Sequence, residues 1–529
     1  MPVRRHAAMF ATMMAAALTA ALVVPAADAA PTPPGSLDPT FSPGGLAGVT
    51  DVIAGQELYD LAVQSDGKIV ALSDTGPDLY LVRYDANGAV DPTFGNAGTG
   101  IVTVDVGALN KNDKATAIAI DAQDRIVVTG TGASDAGDLV LVRLSADGKS
   151  VQLDKHVHIG DLSEPTTGTD IAFQSDGTIV VGGSGDVGPR SGFVVIRFDP
   201  TTGFILGIPQ TTTFTADADL AYGVGVYPSG PNKDKIVLVG ATAASTSDGA
   251  IGVVQRNPDG TADPTFAGGA GQLTIDPTTT TDEAAGVAIT ASGSVLVVGQ
   301  NGLPDEDVVL AQLLPSGAYD PAFNAGSPRT VVRTGAEDVR EHPLALQPDG
   351  KFVVVADTGD DKSVGVFRFT ANGADDPSFG TGGVATLAVG TEDDANAVVL
   401  DGQGRILVAG DHSAEAGGFV ARFIGAAPVT PPTSAPGATL KGNKVVLDTV
   451  LAKKKASAKC PAKATVAIKT KAKGGKVKVT KQLKTTTVPG GCRVKGKVNL
   501  HVKPKKTAKV KVTVTGKKLK TKHLTAVRP

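Results

Sequence analysis

This chain has few of the residues that commonly perform catalysis, and they do not form a known catalytic motif. It contains seven His and two Cys, and it has no Gly-x-Ser-x-Gly nucleophile elbow, no phosphate-binding loop and no His-Glu-x-x-His zinc motif. His156 and His158 lie two residues apart, so on a β-strand they would share one face, a spacing that a metal site can use. Such pairs are more often exposed or part of a core. We therefore predict a protein that is not an enzyme, with no catalytic, metal or cofactor-binding residue.

Three acidic clusters offer the carboxylate oxygens that calcium prefers. None has the alternate-residue spacing of an EF-hand loop, so we interpret them as solvated loop tips. They are Asp305–Asp307, Asp360–Asp361 and Glu392–Asp394.

Arginine recurs at the ends of β-type segments, and a ring of such cations is one way to bind a ligand. A repeated position is more often structural, and we expect these side chains to pair with an Asp of the same repeat. The arginines are Arg83, Arg143, Arg197, Arg256, Arg368 and Arg422.

These arginines recur because most of the chain is a repeat. Each copy has an apolar segment, then Asp-Gly or an equivalent turn, then a β-branched segment, as in Leu61–Ile69 (LAVQSDGKI). The apolar residue that opens the second segment recurs at steps of 53 to 59 residues. It stands at positions 69, 126, 179, 236, 295, 352 and 406, which makes seven copies.

Each copy has the pattern of four short strands. In the first copy they span 47–52, 59–64, 68–73 and 79–84, and Asp66-Gly67 forms the middle hairpin because Gly accepts a positive φ and Asp tolerates it. Four strands and a period above 40 residues are typical of propeller blades. We predict an all-β protein whose main part is a seven-bladed β-propeller, with one blade combining N-terminal and C-terminal strands.

A second motif, Asp-Pro-x-Phe, stands between copies. Its Asp can accept backbone hydrogen bonds at the turn, Pro fixes φ, and we expect its Phe to fill the core between neighbouring blades. The third and fourth copies have other connectors, at 152–158 and 200–209, so we expect their blades to be the least regular. The motif supplies Asp38 and Phe41, Asp91 and Phe94, Asp263 and Phe266, Asp320 and Phe323, and Asp376 and Phe379.

Taken in order, Asp-Pro-Thr-Phe-Gly, Gln-x-Asp-Gly-Lys-Ile-Val-Val and a strand ending in Arg-Tyr or Arg-Phe resemble the delta-60 repeat. The resemblance covers about residues 35–424. It implies an exported bacterial protein with a propeller-forming repeat and no established biochemical activity. The departures are the two missing Asp-Pro-x-Phe copies and Gln312, which stands where other copies have Arg.

The ends of the chain differ from the repeat. Arg4 and Arg5 precede an apolar stretch at 7–24, and Ala27-Asp28-Ala29 fits a small-x-small cleavage pattern, so residues 1–29 are predicted to be a signal peptide. No later apolar run is long enough to span a membrane. We assign the propeller to residues 30–425, a Pro-rich linker to 426–437 and a Lys-rich domain to 438–529.

The last domain carries 27 Lys and Arg and one acidic residue, whereas residues 30–437 have a net charge near −30. Alternation such as Lys476–Val479 (KVKV) places Val on one face and Lys on the other, which indicates half-buried strands. The domain resembles the immunoglobulin-like β-sandwich modules of secreted bacterial proteins. Cys460 and Cys492 are predicted to form a disulfide. Zinc is a poorer interpretation, because His501 and His523 stand at no recognised ligand spacing.

The favoured function is an exported, extracellular or cell-envelope binding or scaffold protein. The acidic propeller would bind an unknown protein or glycan, and the basic domain would attach to an anionic cell-wall polymer. The alternative is a secreted propeller hydrolase or lyase with its active site at the channel mouth, which convergence of His156, His158, His342 or His412 with carboxylates would favour. Specific nucleic-acid binding is disfavoured, because the basic domain has no aromatic residue on which bases could stack.

Overall fold

The structure is a computed structural model that describes most of residues 32–526. The segments outside the described residues are 1–31, 43–45, 52–55, 75–77, 107–113, 133–136, 161–164, 187, 189, 216, 244–248, 303–306, 332–338, 341, 359–362, 391, 413–416, 426–437, 442–443, 452–462, 473–474, 489–490, 500–509, 516–521 and 527–529.

Seven four-stranded antiparallel sheets form the body of the protein, as the repeat predicts. Strand β1 (Val49–Asp51) comes first in the chain. The first three sheets are β2 (Asp60–Val63), β3 (Ile69–Asp74), β4 (Leu79–Tyr84) and β5 (Ile101–Val104); β6 (Lys114–Ile120), β7 (Ile126–Gly132), β8 (Asp138–Leu144) and β9 (Val151–Val157); and β10 (Thr167–Phe173), β11 (Ile179–Asp186), β12 (Ser191–Phe198) and β13 (Gln210–Thr212).

The next three sheets follow the same order. They are β14 (Leu220–Val226), β15 (Ile236–Thr242), β16 (Ala250–Arg256) and β17 (Gln272–Ile275); β18 (Asp282–Ile289), β19 (Val295–Asn301), β20 (Val308–Leu313) and β21 (Arg329–Val331); and β22 (Leu344–Leu346), β23 (Phe352–Thr358), β24 (Ser363–Phe369) and β25 (Val384–Leu387). The seventh sheet contains β26 (Asp393–Leu400), β27 (Ile406–His412), β28 (Gly417–Phe423) and β1.

The sheets are arranged in a closed ring. Their first strands β2, β6, β10, β14, β18, β22 and β26 contact one another in that order, and β26 contacts β2. The seventh sheet takes its outer strand from the N-terminal part of the chain, since Val49 pairs with Ala421 and Asp51 with Phe419. This confirms the seven-bladed propeller and the blade of mixed origin, an arrangement that leaves no free sheet edge at the closure.

The two connectors that replace Asp-Pro-x-Phe belong to the second and third blades, where Val151–Val157 form the outer strand β9 and 200–209 precede β13. Of the two blades expected to be least regular, the third has an outer strand of three residues, but the fourth has strands of seven, seven, seven and four residues. The shortest inner strand, β22, also has three residues and belongs to the sixth blade. The expectation from the connectors was therefore wrong for the fourth blade.

The core consists of separate layers between neighbouring blades. The third strands of the blades are buried almost along their whole length, as β4 and β20 show. Each layer combines apolar residues from two adjacent sheets; in one of them Phe94 packs with residues of β3, β4, β7 and β8. The five Phe of the Asp-Pro-x-Phe motif are all buried, at 1% exposure or less: Phe41, Phe94, Phe266, Phe323 and Phe379.

The turns between first and second strands require a positive φ at one position. Gly67 occupies it in the first blade, with φ +90°, whereas Asp124 and Asp234 occupy it in the second and fourth, with φ near +65°. Each Asp accepts hydrogen bonds from the backbone and hydroxyl of a Ser in the preceding blade, Ser65 or Ser175. These inter-blade bonds offset the backbone strain that a non-Gly residue has in this region.

The ring has two faces. The hairpin face carries the turns between first and second strands, and the mouth face is the one where the first strands begin and the second strands end. No helix in the described part of the chain is long and apolar enough to cross a membrane.

The Lys-rich domain contains β29 (Ala438–Lys441), β30 (Lys444–Leu451), β31 (Lys463–Ala472), β32 (Gly475–Val488), β33 (Gly491–Asn499), β34 (Val510–Thr515) and β35 (Lys522–Ala526). They form one antiparallel sheet in the order β29-β30-β33-β32-β31-β34-β35. Strand β32 pairs with β31 up to Lys484 and with β33 from Thr485, so it joins the two halves. Cys492 lies in β33 opposite Leu451, and Cys460 is outside the described residues. The immunoglobulin-like assignment and the disulfide stay predictions.

Candidate functional site

Three of the recurring arginines are buried within the hairpin face, each bound to the Asp of an Asp-Pro-x-Phe motif. Arg83 Nε lies 3.0 Å from Asp91 Oδ2. Its guanidinium also stands 4.6 Å from the centre of the Phe94 ring, a cation–π distance. The same arrangement joins Arg368 to Asp376 and Phe379, and Arg422 to Asp38 and Phe41. These arginines hold adjacent parts of the fold together and do not line the central channel.

The aspartates of this arrangement have lowered pKa values. Burial alone would raise the pKa of Asp91, but bonds from Thr93 and the charge of Arg83 outweigh it and bring that pKa to about 2. The pKa of Asp38 is lowered in the same way, against burial, by Thr40 and by Arg422 and Arg405. These carboxylates therefore remain charged, as partners of buried cations.

Register shows that Arg256 is not one of this set. Val70 pairs with Arg83, and the equivalent Val237 pairs with Gln255, whereas Arg256 pairs with Ile236. Gln255 and Gln312 take the place of Arg, donating to Asp263 and Asp320 through Nε2. Arg256 instead donates to the Thr211 carbonyl.

Arg143 and Arg197 lie in the blades without the motif and bind backbone carbonyls of the following blade, at Pro200 and Asp259. Of the six arginines that we expected to pair with an Asp, three therefore do so.

The two His at alternate positions lie on the outside of the ring. His156 is in the outer strand β9, where its Nε2 is 3.2 Å from Asp154 Oδ1. His158 follows that strand and faces Asp138, 3.3 Å away. Within the described residues no three His, Cys, Asp or Glu side chains form a metal-binding group. Of the acidic clusters, residues 305, 306 and 359–362 lie outside the described part.

Five of the seven inner strands contain a β-bulge at the same place. In each, one residue is skipped in the pairing with the second strand: Thr116, Thr169, Tyr222, Ala285 or Asn396. Tyr59 and His342 occupy the equivalent position in the other two blades, just before the paired part of β2 and β22. A bulge re-aims a side chain, and these seven residues surround the channel.

The channel widens at the mouth face into a cavity of about 510 Å³, which we call the mouth cavity. Five blades contribute to its wall, and four of the bulge positions belong to it. It is lined by Glu57, Tyr59, Tyr222, Glu283, Ala284, Ala285, Gln300, Val339, Arg340, Asp394, Asn396 and Asp411.

Arg340 is the one cation among the described residues of that lining, and it is bound to two carboxylates. Its Nε donates to Asp357 Oδ2 at 3.0 Å, and its Nη2 lies 3.2 Å from Asp394 Oδ1. Asp357 also accepts the Ala395 backbone N–H at 2.7 Å, which joins the sixth blade to the seventh. Burial raises the pKa of Asp357 to about 7, although Arg340 opposes this rise.

Asp411 stands on the cavity wall and is buried, with 7% of its surface exposed. Asn396 donates to its Oδ1, and within the described residues no donor reaches its Oδ2. Burial raises the pKa of Asp411 to about 6, and the nearby charges of Asp394 and Glu57 raise it further while Arg340 lowers it. Asp411 is thus a buried carboxylate with one oxygen unused.

His342 fills the channel on the side of the first three blades. Its Nε2 is 2.9 Å from the Thr116 carbonyl oxygen, and its ring nitrogens lie 3.9 Å from carboxylate oxygens of Asp60 and Asp170. Burial raises the pKa of Asp60 to about 6, with His342 opposing the shift, and raises that of Asp170. Of the four His in the propeller, this one converges with carboxylates in the channel.

His412 lies at the end of β27 on the mouth face. Its Nδ1 is 2.6 Å from Asp393 Oδ1, and its ring stacks on Phe419. Neither His412 nor Asp393 lines the mouth cavity.

The cavity residues were missed at the level of sequence, although a signal existed. Each bulge residue stands two positions before the apolar residue that begins the repeated segment, such as Leu61 or Ile118. Aligning the copies shows a column of unlike residues, Tyr, Thr, Thr, Tyr, Ala, His and Asn, beside columns of similar ones. A variable column within a regular repeat is the pattern expected of a surface that does not support the fold.

Comparison with known proteins supports the fold. The family model described as "Domain of unknown function (DUF5122) beta-propeller" matches residues 64–94, 174–203 and 234–266, in the first, third and fourth blades. No curated protein sequence matched the chain.

Solved structures similar to this chain include three propeller-sized proteins. One is a catalytically inactive virginiamycin B lyase from Staphylococcus aureus with quinupristin, at 10% identity, covering 70% of this chain and 98% of that one, with a TM-score of 0.43. A PL25 ulvan lyase is 12% identical, over 73% and 100% of the two chains, with a TM-score of 0.42. A protein of unknown function from Dyadobacter fermentans is 14% identical, over 71% and 100%, with a TM-score of 0.38. Likenesses at this level carry no information about activity.

Proposed function

We propose that this protein is an exported, envelope-associated binding protein that takes a ligand in the mouth cavity of its propeller. The observation that carries the proposal is the cavity itself, about 510 Å³ in volume and lined by polar and aromatic side chains from five blades. A cavity of this size with a few convergent polar groups is the usual form of a small-ligand site. The ligand would be a small molecule or an exposed group of a protein or glycan.

The Lys-rich domain supports the second half of the proposal. Its 27 basic residues and single acidic residue would attract an anionic envelope polymer over distances set by the screening of charge by salt. Arg493 and Arg528 are the only arginines among these cations, so attraction by point charges is favoured over bidentate recognition of one chemical group.

A binding screen tests the proposal. Full-length protein is applied to soluble envelope glycans and peptides, beside the variant Tyr222→Ala, which alters the cavity wall, and Tyr319→Ala, which alters an exposed tyrosine outside it. We expect a ligand that Tyr222→Ala loses and Tyr319→Ala retains. Equal binding by all three proteins to every envelope component would contradict a ligand site at the mouth.

The second candidate is a secreted hydrolase or lyase that acts at the same mouth. It is favoured by the carboxyls of Asp357 and Asp411, whose pKa values of about 7 and 6 lie in the range useful for proton transfer near neutral pH. Mass spectrometry of the bound ligand after prolonged incubation separates the two functions. An unchanged ligand supports binding alone, and a cleaved ligand that Asp411→Asn binds but leaves intact supports an enzyme.

A further inference from the structure

We infer that the mouth cavity binds an alkylammonium ion, such as a short diamine or the side chain of lysine, with its charged end at Asp411 Oδ2. This inference rests on the proposed binding function and names the class of ligand.

Charge is the first argument. Among the described residues that line the cavity, four are carboxylates, namely Glu57, Glu283, Asp394 and Asp411, and one is a cation, Arg340. Arg340 is already bound to Asp394 and to Asp357 behind it. An anionic ligand would add to this excess of negative charge, whereas a cation would reduce the repulsion among the carboxylates.

Asp411 supplies the second argument. It is more than nine-tenths buried, and Asn396 is its hydrogen-bond donor through Oδ1. Within the described residues its Oδ2 has no donor, on a side chain that lines the cavity. An ammonium N–H at this oxygen would form the stronger, charge-assisted type of hydrogen bond on a side chain that is otherwise enclosed by protein.

The third argument is aromatic. Tyr59 comes from the first blade and Tyr222 from the fourth, which are three blades apart in a ring of seven, so the two side chains enter the cavity from opposite sides of the channel. Aromatic rings bind ammonium groups by cation–π attraction and pack against methylene chains. Metal ions fit less well, because the described residues contain no metal-binding group of three ligands.

The test is calorimetric titration of the full-length protein with cadaverine, with Nα-acetyl-lysine methylamide and with 1,5-pentanediol as a neutral molecule of the same length as cadaverine. We expect the two ammonium compounds to bind and the diol not to bind. Asp411→Asn should weaken cadaverine binding by about tenfold or more, since it removes one member of a charged pair. Tyr222→Ala should weaken it by roughly three- to thirtyfold, the range of a cation–π contact.

Two control variants and the pH dependence of binding test whether cadaverine occupies the mouth cavity. Asp66→Asn on the hairpin face and Tyr319→Ala should bind cadaverine as the unaltered protein does. Binding should weaken as the pH falls through about 6, where Asp411 takes up a proton next to Asp394, Glu57 and Arg340. Stronger binding of the lysine derivative than of cadaverine would indicate a protein segment as the natural ligand, and the reverse order would indicate a free amine.

Two results would overturn the inference. Equal binding of the diol and cadaverine would show a site for neutral hydroxyl compounds. No cadaverine binding, together with an envelope ligand that Tyr222→Ala loses, would refute the ammonium class while leaving the proposed binding function in place.

Discussion

At the end of β28, Arg422 is held in the interior by three different contacts. It has about 1% of its side chain exposed, and it meets the Asp38 carboxylate, the Phe41 ring and the Ala86 carbonyl. Each contact alone would not offset the cost of removing a guanidinium from water, but together they satisfy its donors. The same solution at Arg83 and Arg368 shows how a repeat can keep a buried cation at several equivalent sites.

Loss of one partner from such a pair should be costly. Asp38→Ala is expected to reduce the free energy of unfolding by about 3–5 kcal/mol, because it leaves a buried arginine without its counter-charge. Urea denaturation followed by circular dichroism measures the change, with the exposed Asp66→Ala as control. A loss below about 1 kcal/mol would show that water or another group replaces the carboxylate.

The raised pKa of Asp411 predicts a pH-dependent effect of Asp411→Asn on stability. The folded protein holds this proton with a pKa of about 6, against an unfolded value near 3.8, so the unaltered protein loses stability as the pH rises from about 4 through 6. The variant has no such charge. Between pH 4 and pH 8 the stability of the variant relative to the unaltered protein should therefore rise, by on the order of 1–3 kcal/mol.

Urea denaturation at the two pH values measures this difference, with Asp66→Asn as the matched control. A variant that is equally destabilised at both pH values would contradict the assigned pKa shift. The expected gain also means that weaker ligand binding by Asp411→Asn at pH 8 is not a consequence of unfolding.

At the scale of elements, ring closure depends on a strand of three residues. β1 completes the seventh sheet, and the turn before it supplies Asp38 and Phe41 to the same blade. The isolated bridge between Leu37 and Phe423 extends this contact. A short N-terminal segment therefore pairs with the backbone at the edge of β28 and fills the core between the seventh and first blades.

A chain that starts at residue 56 should lose this closure. It lacks β1, leaves Arg422 unpaired and removes Phe41, whose loss alone costs about 3–5 kcal/mol. We expect a lower midpoint of thermal unfolding and self-association through the exposed β28 edge, measured by calorimetry and light scattering. The matched control is a chain that ends at residue 425, which retains all 28 strands of the ring. Equal stability of both chains would show that the ring closes without its N-terminal strand.

The Cys460–Cys492 disulfide is a prediction at the same scale. A bond between these residues would close a loop of the Lys-rich domain and stabilise it by roughly 3–4 kcal/mol through the entropy of the unfolded chain. Peptide mapping of secreted protein without reduction should find one peptide pair that contains both residues. Two free thiols would refute the prediction.

At the scale of the whole molecule, the two parts carry opposite charges. Residues 438–529 have a net charge of +26, while residues 30–437 are near −30, and the protein as a whole has a net charge of only −3. The overall charge therefore does not indicate how either part behaves toward a charged surface. Docking of the basic domain on its own propeller competes with attachment to an external polymer, and so does a simple role in solubility.

Salt dependence separates these possibilities. The full-length protein should sediment with purified cell wall at low ionic strength and be released as salt is added, because charges are screened over roughly 8 Å at physiological salt. The chain that ends at residue 425 should stay in the supernatant, because it lacks the 27 basic residues of the Lys-rich domain and is itself acidic. If full-length protein also stays in the supernatant at low ionic strength, the basic domain is not an envelope anchor.

The number of blades, their turns and the mixed closing blade followed from sequence alone, because these features are encoded locally. A Gly or Asp at a positive φ and an apolar residue every 53 to 59 positions are present in each copy, whatever its neighbours do. The tertiary structure decided which residues meet, because contacts between distant parts of the chain are not encoded in a local pattern. In β16 the arginine stands one residue later than in β4, and the pairing of Val237 with Gln255 shows that a glutamine has taken the repeated position. Tyr59, Tyr222 and Asp411 are far apart in the chain, and they line one cavity because the ring closes and brings the starts of its inner strands together.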